Sequence, residues 1–180
     1  MKNTVVVIFS ILSMAFAPLA ARAGWDPKSG SDNKNEAEAT IERFKSSDPA
    51  LKRFFDQSHG MAVFPTVGKV GIGFGGAYGT GRVFEKGKPI GNASLKQLSV
   101  GFQFGGQAYS EIIFFKDKHA LDDFKSGNFE LGAQASAVVV TAGVSADADY
   151  SDGVAVFTLP KGGLMYEATV AGQKFKFKPD

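Results

Sequence analysis

The stretch Val70-Gly71-Ile72-Gly73-Phe74-Gly75-Gly76 decides how the rest of the chain reads. Glycine holds positions 71, 73 and 75, and bulky apolar residues hold the even positions between them. Successive side chains of a strand point to opposite faces, so one face here is bare backbone and the other is bulky. A strand glycine costs entropy and packs no side chain, so this alternation implies that something lies close against the bare face: a helix, a facing aromatic or a ligand. Further on, Val100-Gly101-Phe102-Gln103-Phe104-Gly105-Gly106 matches the first stretch at its valine, three glycines and second aromatic. An internal duplication and two neighbouring strands under one packing constraint explain this equally well. Both place the two strands near each other.

Gly71-x-Gly73-x-x-Gly76 also has dinucleotide-binding spacing, but that motif needs a strand, a turn and then a helix whose N-terminus faces the pyrophosphate. Here the glycines alternate within a strand, and Ala77 to Phe84 carry no helical stripe. Nucleotide binding is rejected.

On the C-terminal side the period of two continues. Candidate strands are Met61–Phe64, Val70–Tyr78, Gly81–Glu85, Leu98–Ala108, Glu111–Phe115, Phe129–Val140, Val154–Leu159, Leu164–Val170 and Lys174–Lys178. One helix interrupts them: Asp117 caps it, Ala120, Leu121 and Phe124 form its buried stripe, and Gly127 ends it. On the N-terminal side the spacing is helical. Ala37, Ile41 and Phe44 form one stripe, and Asp48 with Pro49 announces a second helix carrying Leu51, Phe54 and Phe55. The links between strands are short, which suits antiparallel neighbours. The expected class is α+β: a strongly curved, mostly antiparallel, glycine-rich sheet, barrel- or sandwich-like, with N-terminal helices and one inserted helix.

Lys2, the apolar run Val5 to Ala21 and Ala21-Arg22-Ala23 read as a secretory signal peptide over residues 1–23, cleaved near Ala23. The run contains Ser10, Ser13 and Pro18 and is shorter than the roughly 20 apolar residues of a spanning helix. Residues 24–35 read as a flexible N-terminal segment and 36–180 as a single domain of a periplasmic or secreted protein. Cleavage removes Lys2 and Arg22, so Lys+Arg falls from 20 to 18 against 18 Asp+Glu, and the mature chain is neutral. Neutrality removes any general argument for nucleic acid or an anionic membrane as a partner, so partner arguments rest on local charge.

The chain has no cysteine and two histidines, which excludes disulfides, thiolate metal sites, a cysteine nucleophile and a histidine-rich metal centre. His59 falls at a helix C-terminus, where an imidazolium complements the helix dipole, and His119 falls in the first turn of the third helix. Asp147-x-Asp149-x-x-Asp152-Gly153 departs from calcium-loop spacing and has Thr158 where the closing glutamate belongs. Asp122 and Asp123 are adjacent on a helix and share no face. No enzyme activity, metal or cofactor is expected. Lys69, Arg82, Lys86, Lys88 and Lys96 surround the glycine-rich strands, with Lys161, Lys174, Lys176 and Lys178 later. Charge alone favours edge-strand protection over contact with lipid phosphate.

Several ordered blocks resemble one family. Met61-Ala62-Val63-Phe64-Pro65 precedes Gly71-x-Gly73-x-Gly75-Gly76-x-x-Gly79-x-Gly81. Then come Ser99-x-Gly101-x-Gln103-x-Gly105-Gly106-Gln107, Ala120-Leu121-x-x-Phe124, Leu131-Gly132-x-x-Ala135-Ser136 and Lys161-Gly162-Gly163-Leu164. Over roughly residues 37 to 177 the chain resembles the SYLF family. The chain departs from it at Thr141 to Asp147, where many members carry a Gly-Pro-x-Gly turn. The resemblance implies lipid binding: eukaryotic members bind phosphoinositides and in some cases actin, and bacterial members are mostly exported envelope proteins. It leads to the expectation of a non-enzymatic phospholipid-binding protein of the cell envelope. Its contacts would be Phe74, Tyr78, Phe102 and Phe104 for acyl groups and Lys69, Arg82, Lys86 and Lys88 for headgroups. The competing expectation is an envelope structural or interaction module whose strand edges bind another envelope protein.

Overall fold

The computed structural model describes residues 30–132, 135–162 and 170–180, excepting the side chains of 30–33, 72–74, 99–105 and 162. Helix α1 (Gly30–Ser47) leads through the 3-10 turn Pro49–Leu51 into α2 (Lys52–Gln57). Two long β runs follow, β1 (Gly60–Glu85) and β2 (Lys88–Phe115), then α3 (Lys118–Lys125), β3 (Val138–Val139), β4 (Val154–Gly162) and β5 (Lys174–Pro179).

The helix starts are local chemistry. Asp48 accepts the Ala50 N–H at 3.0 Å, Pro49 fills the position where an N–H has no helical partner, and Asp117 accepts the Ala120 N–H at 3.0 Å. Gly127, with φ 83°, follows α3. Helix α1 begins earlier than its apolar stripe requires, at Gly30, inside the stretch expected to be flexible. Its added turns are polar and include a Lys34–Glu38 pair at 3.9 Å.

Asp48 also joins two distant segments, because its second carboxylate oxygen accepts the Ser145 N–H at 2.9 Å. Burial alone would raise its pKa, but the N–H groups of Ser145 and Ala50 outweigh burial and hold it below the ordinary value. Its stabilisation is therefore present above the unfolded-state pKa and is lost as pH falls through the lower folded value. Asp48→Ala is expected to cost about 3 kcal/mol in urea unfolding at pH 7, since it removes a cap and strands a buried amide. A loss below about 1 kcal/mol would show that Asp48 does not hold Ser145 in place.

β1 and β2 pair antiparallel from Gly60↔Phe115 to Glu85↔Lys88, joined by a two-residue turn in which Lys86 and Gly87 take φ 48° and 77°. A straight strand of this length would span roughly 80 Å. Instead β1 doubles back: the Lys86 amide donates to the His59 carbonyl at 3.0 Å, and Gly60, Gly79 and Gly81 lie against Phe84, Thr66 and Val63. The reversal therefore falls within Val70–Gly76, in the middle of the stretch read as one strand. The two matching glycine stretches lie side by side, with Val70 opposite Gly106 and Phe74 opposite Val100. Close packing of backbone against glycine occurs at Gly60, Gly79, Gly81 and Gly91.

The second half of β2 also pairs with β4 and its first half with β5, while β3 adds to β4 in parallel. Counted by segment, the sheet has seven strands, mostly antiparallel. The α+β class holds, but the expected closure into a strongly curved barrel or sandwich is corrected. The ladder runs β1-β2-β4-β3 with β5 on β2, and the sheet is neither closed nor strongly curled. The long runs take up length by reversing in the plane of the sheet, with irregularities at Phe64/Val67, Ile72/Phe74 and Val83/Phe84.

Residues 129–140 are corrected too. Among the described residues of this segment only Val138–Val139 form a strand, because the backbone is divided between partners: Leu131 donates to Gln173, Phe129 accepts from Phe175, and Val140 donates to Thr158. The expected strand Leu164–Val170 lies, except for Val170, outside the described residues. Lys88 to Gln97, which no candidate strand covered, are strand.

Each face of the sheet carries its own core. Ala37, Ile41, Phe44, Leu51 and Phe54 from the N-terminal helices cover Val63, Phe84, Ile112, Phe114 and Phe157. Leu121 and Phe124 of α3, with Leu131 and Val170, cover Phe64, Val67, Leu95, Ile113, Phe115 and Phe175 on the other face. The helices leave open the part of their face made by the second half of β1, the first half of β2, and β5.

Candidate functional site

On that open part, alternation and register together fix which residues are neighbours. Ala77 and Val83 of β1, Ala93 and Leu95 of β2, and Phe175 of β5 point into the core behind α3. The residues between them point the other way. Register then sets three rows across the strands: Arg82, Asn92 and Lys178; Thr80, Ser94 and Lys176; Tyr78, Lys96 and Lys174. Thr80, Lys96, Lys174, Lys176 and Lys178 are exposed, and Tyr78 is half-buried.

Beyond the third row the inside-outside pattern inverts. On β2, Gln97 is buried and donates to the Ala171 carbonyl at 2.9 Å, whereas Leu98 is 91% exposed. On β1, Lys69 is buried and Val70 is 67% exposed. Burial lowers the pKa of the Lys69 ammonium. Polar groups inside and bulky apolar groups in solvent reverse the ordinary arrangement, and both inversions occur at the reversal end of the sheet.

The expected contact residues do not form one cluster. Tyr78 lies in the open rows. Arg82 lies there too, but it is buried and donates to Asn92 at 3.0 Å and to the Asp180 carboxylate at 2.8 and 2.5 Å. Lys86 and Lys88 are exposed at the opposite end of the hairpin, beside His59 and Glu85, which pair at 3.0 Å. Ten residues of strand separate Lys88 from Leu98, roughly 33 Å at ordinary rise. Lys69 is inside. The side chains of Phe74, Phe102 and Phe104 lie outside the described residues.

Residue-by-residue reading missed Val70, Leu98 and the alignment of Lys96 with β5. The signal was present: Leu95-Lys96-Gln97-Leu98 puts a polar residue in the inward phase and a leucine in the outward one. A groove of about 460 Å³ lies beside β4, and Glu130, Asp149 and Asp152 among its lining residues oppose an anionic ligand. His119 pairs with Asp123 at 3.2 Å on α3, and no group of three or more metal-ligating side chains occurs among the described residues.

Fold and surface together define an α+β open-sheet domain that presents a basic sheet face next to an apolar hairpin end. Residues 96–180 match the family model described as "Ysc84: Las17-binding protein actin regulator". Over that stretch the chain is similar to the Ysc84 (SYLF) domain family, a lipid-binding and generally non-catalytic family. It is 25% identical over 146 residues to "Beta cell expansion factor A" of Aeromonas veronii, a match covering 80% of this chain and 55% of that protein. The chain thus spans about half the length of this curated relative.

Proposed function

We propose that this protein is an exported, non-enzymatic phospholipid-binding protein of the cell envelope, and that it engages the membrane with the reversal end of its doubled hairpin. The observation that carries the reading is the exposure of Leu98 and Val70 on one sheet face, backed by Gln97 and Lys69 turned inward. A leucine held out in water gives up the roughly 1.5–3 kcal/mol that its burial would yield, and an acyl layer supplies that burial. Similarity to the Ysc84 (SYLF) family over residues 96–180 supports the same reading. The expected signal peptide supports the envelope location.

Vesicle flotation of the mature chain tests it. Val70→Ser with Leu98→Ser is expected to lower vesicle affinity about 10-fold or more while leaving the urea midpoint within about 0.5 kcal/mol of the parent, because neither side chain is in a core. Unchanged flotation of the double variant would remove the hairpin end from the contact. Failure of the parent chain to float with any phospholipid vesicle would favour the protein-interaction reading.

A further inference from the structure

We propose that Lys96, Lys174, Lys176 and Lys178 form the surface on which the protein docks to a bilayer carrying anionic phospholipid, with Leu98 and Val70 as the apolar margin of that surface. The proposal rests on the membrane reading above and assigns its headgroup contacts to residues other than Lys86 and Lys88.

The register carries the argument. Lys96 lies directly opposite Lys174 on the neighbouring strand, and Ser94 opposite Lys176. Directly opposed side chains in an antiparallel pair have Cβ atoms about 5 Å apart, and residues two apart along a strand about 6.6 Å. Four ammonium groups therefore share a patch of sheet roughly 5 Å by 13 Å, and like charges directly opposed destabilise a strand pair. Few counter-charges offset this. Glu130 lies 3.3 Å from Lys174, and Asp180 is held by Arg82. Among the described residues no carboxylate comes within 4.0 Å of Lys96, Lys176 or Lys178.

Edge protection does not account for this set. Lys96 is on an interior strand segment, flanked by Tyr78 on one side and Lys174 on the other. The outer side of β5 is already occupied along 173–175 by Leu131, Glu130 and Phe129. An open, nearly planar array of cations complements a plane of headgroup phosphates. Leu98, the next outward residue after Lys96 on β2, lies about 6.6 Å further along the same face, where acyl chains would begin.

The experiment compares flotation of the mature chain on vesicles of phosphatidylcholine alone and with phosphatidylglycerol, at low and high salt. Lys96→Gln, Lys176→Gln and Lys178→Gln together are expected to lower affinity for the anionic vesicles on the order of 100-fold, and arginine at the same positions to restore it. Lys86→Gln with Lys88→Gln is expected to stay within about twofold of the parent, and parental binding to the anionic vesicles to weaken as salt rises. Circular dichroism of each variant separates lost binding from lost fold, and the arginine variant reports on the same positions with charge kept.

A triple glutamine variant that binds like the parent, or a Lys86/Lys88 variant that loses as much, would overturn this face while leaving the membrane reading intact. A parent chain that ignores both vesicle types would overturn both. Retention on heparin or DNA without vesicle binding would assign the array to a soluble polyanion and overturn the proposal.

Discussion

Among the described glycines of this sheet, Gly81→Ala is expected to be the most damaging substitution, lowering stability by at least about 3 kcal/mol and leaving little folded protein at 37 °C. A Cβ at Gly81 would lie 2.3 Å from the Val63 carbonyl oxygen and 2.7 Å from the Phe64 ring. The nearer obstacle is backbone, which cannot rotate away as a side-chain end could. Both segments are also locked in the ladder with β2, Val63 opposite Ile112 and Gly81 opposite Ala93. Relief would require separating the two halves of β1, and with them the cores on both faces. Gly68→Ala is the internal control. Nothing lies within 4 Å of a Cβ there and φ is not positive, so alanine is expected to be neutral or to stabilise by up to about 1 kcal/mol through the unfolded chain. Urea unfolding of the pair checks this. Similar midpoints for both variants would mean that the halves of β1 do not approach as described.

The same contrast shows what glycine alternation made legible and what it did not. Glycines at 71, 73 and 75 implied a close neighbour on a bare strand face. Among the glycines whose surroundings are described, Gly79 and Gly81 make such an approach, and the neighbour is the strand's own first half. Alternation has a period of two and carries no information about chain reversal. A reversal inside a β-rich stretch, without an Asn-Gly or Pro-Gly signal, therefore reads as uninterrupted strand. Caps are different. Asp48, Pro49 and Asp117 act on amides two or three residues away, so their reading survives any tertiary arrangement. Phe129–Val140 failed for the opposite reason: its apolar residues do pack on the core, but its hydrogen bonds are shared between Gln173, Phe175 and Thr158, which no local pattern encodes.

The candidate site was legible as composition and illegible as geometry. Lys96 and the alternating Lys174, Lys176 and Lys178 were visible as a basic set. That Lys96 stands opposite Lys174, while Lys86 and Lys88 lie at the far end of the hairpin, depends on a register fixed by β5 returning to β2. Arg82 shows the limit of counting charges: its guanidinium is buried and bonded to Asn92 and Asp180, so it is a cation by sequence and a structural pair in the fold.

Glu111 supplies the second large effect, a loss of stability as pH rises from about 4.5 to about 8. Its side chain is fully buried in the sheet between Phe64 on β1 and Thr158 on β4. One carboxyl oxygen accepts from the Gln173 amide at 3.0 Å, and that amide also reaches the Tyr109 hydroxyl at 3.3 Å. Burial pushes the Glu111 pKa up to about 8, although the Gln173 hydrogen bond pulls the other way, and burial with the nearby Glu111 raises that of Tyr109 as well. The folded chain therefore holds a proton here that the unfolded chain, with a pKa near 4.5, has released. Stability from this site is complete below about 4.5 and falls by about 1.4 kcal/mol per pH unit up to about 8, a loss on the order of 5 kcal/mol in all. Glu111→Gln keeps the shape and an acceptor for Gln173 but cannot ionise. It is expected to match the parent near pH 4.5, to exceed it by a few kcal/mol at pH 8, and to flatten the profile between. Urea midpoints measured from pH 4.5 to 8.5 on both chains decide the matter: parallel profiles would mean that Glu111 is ionised in the folded sheet, with a cation or water reaching its second oxygen.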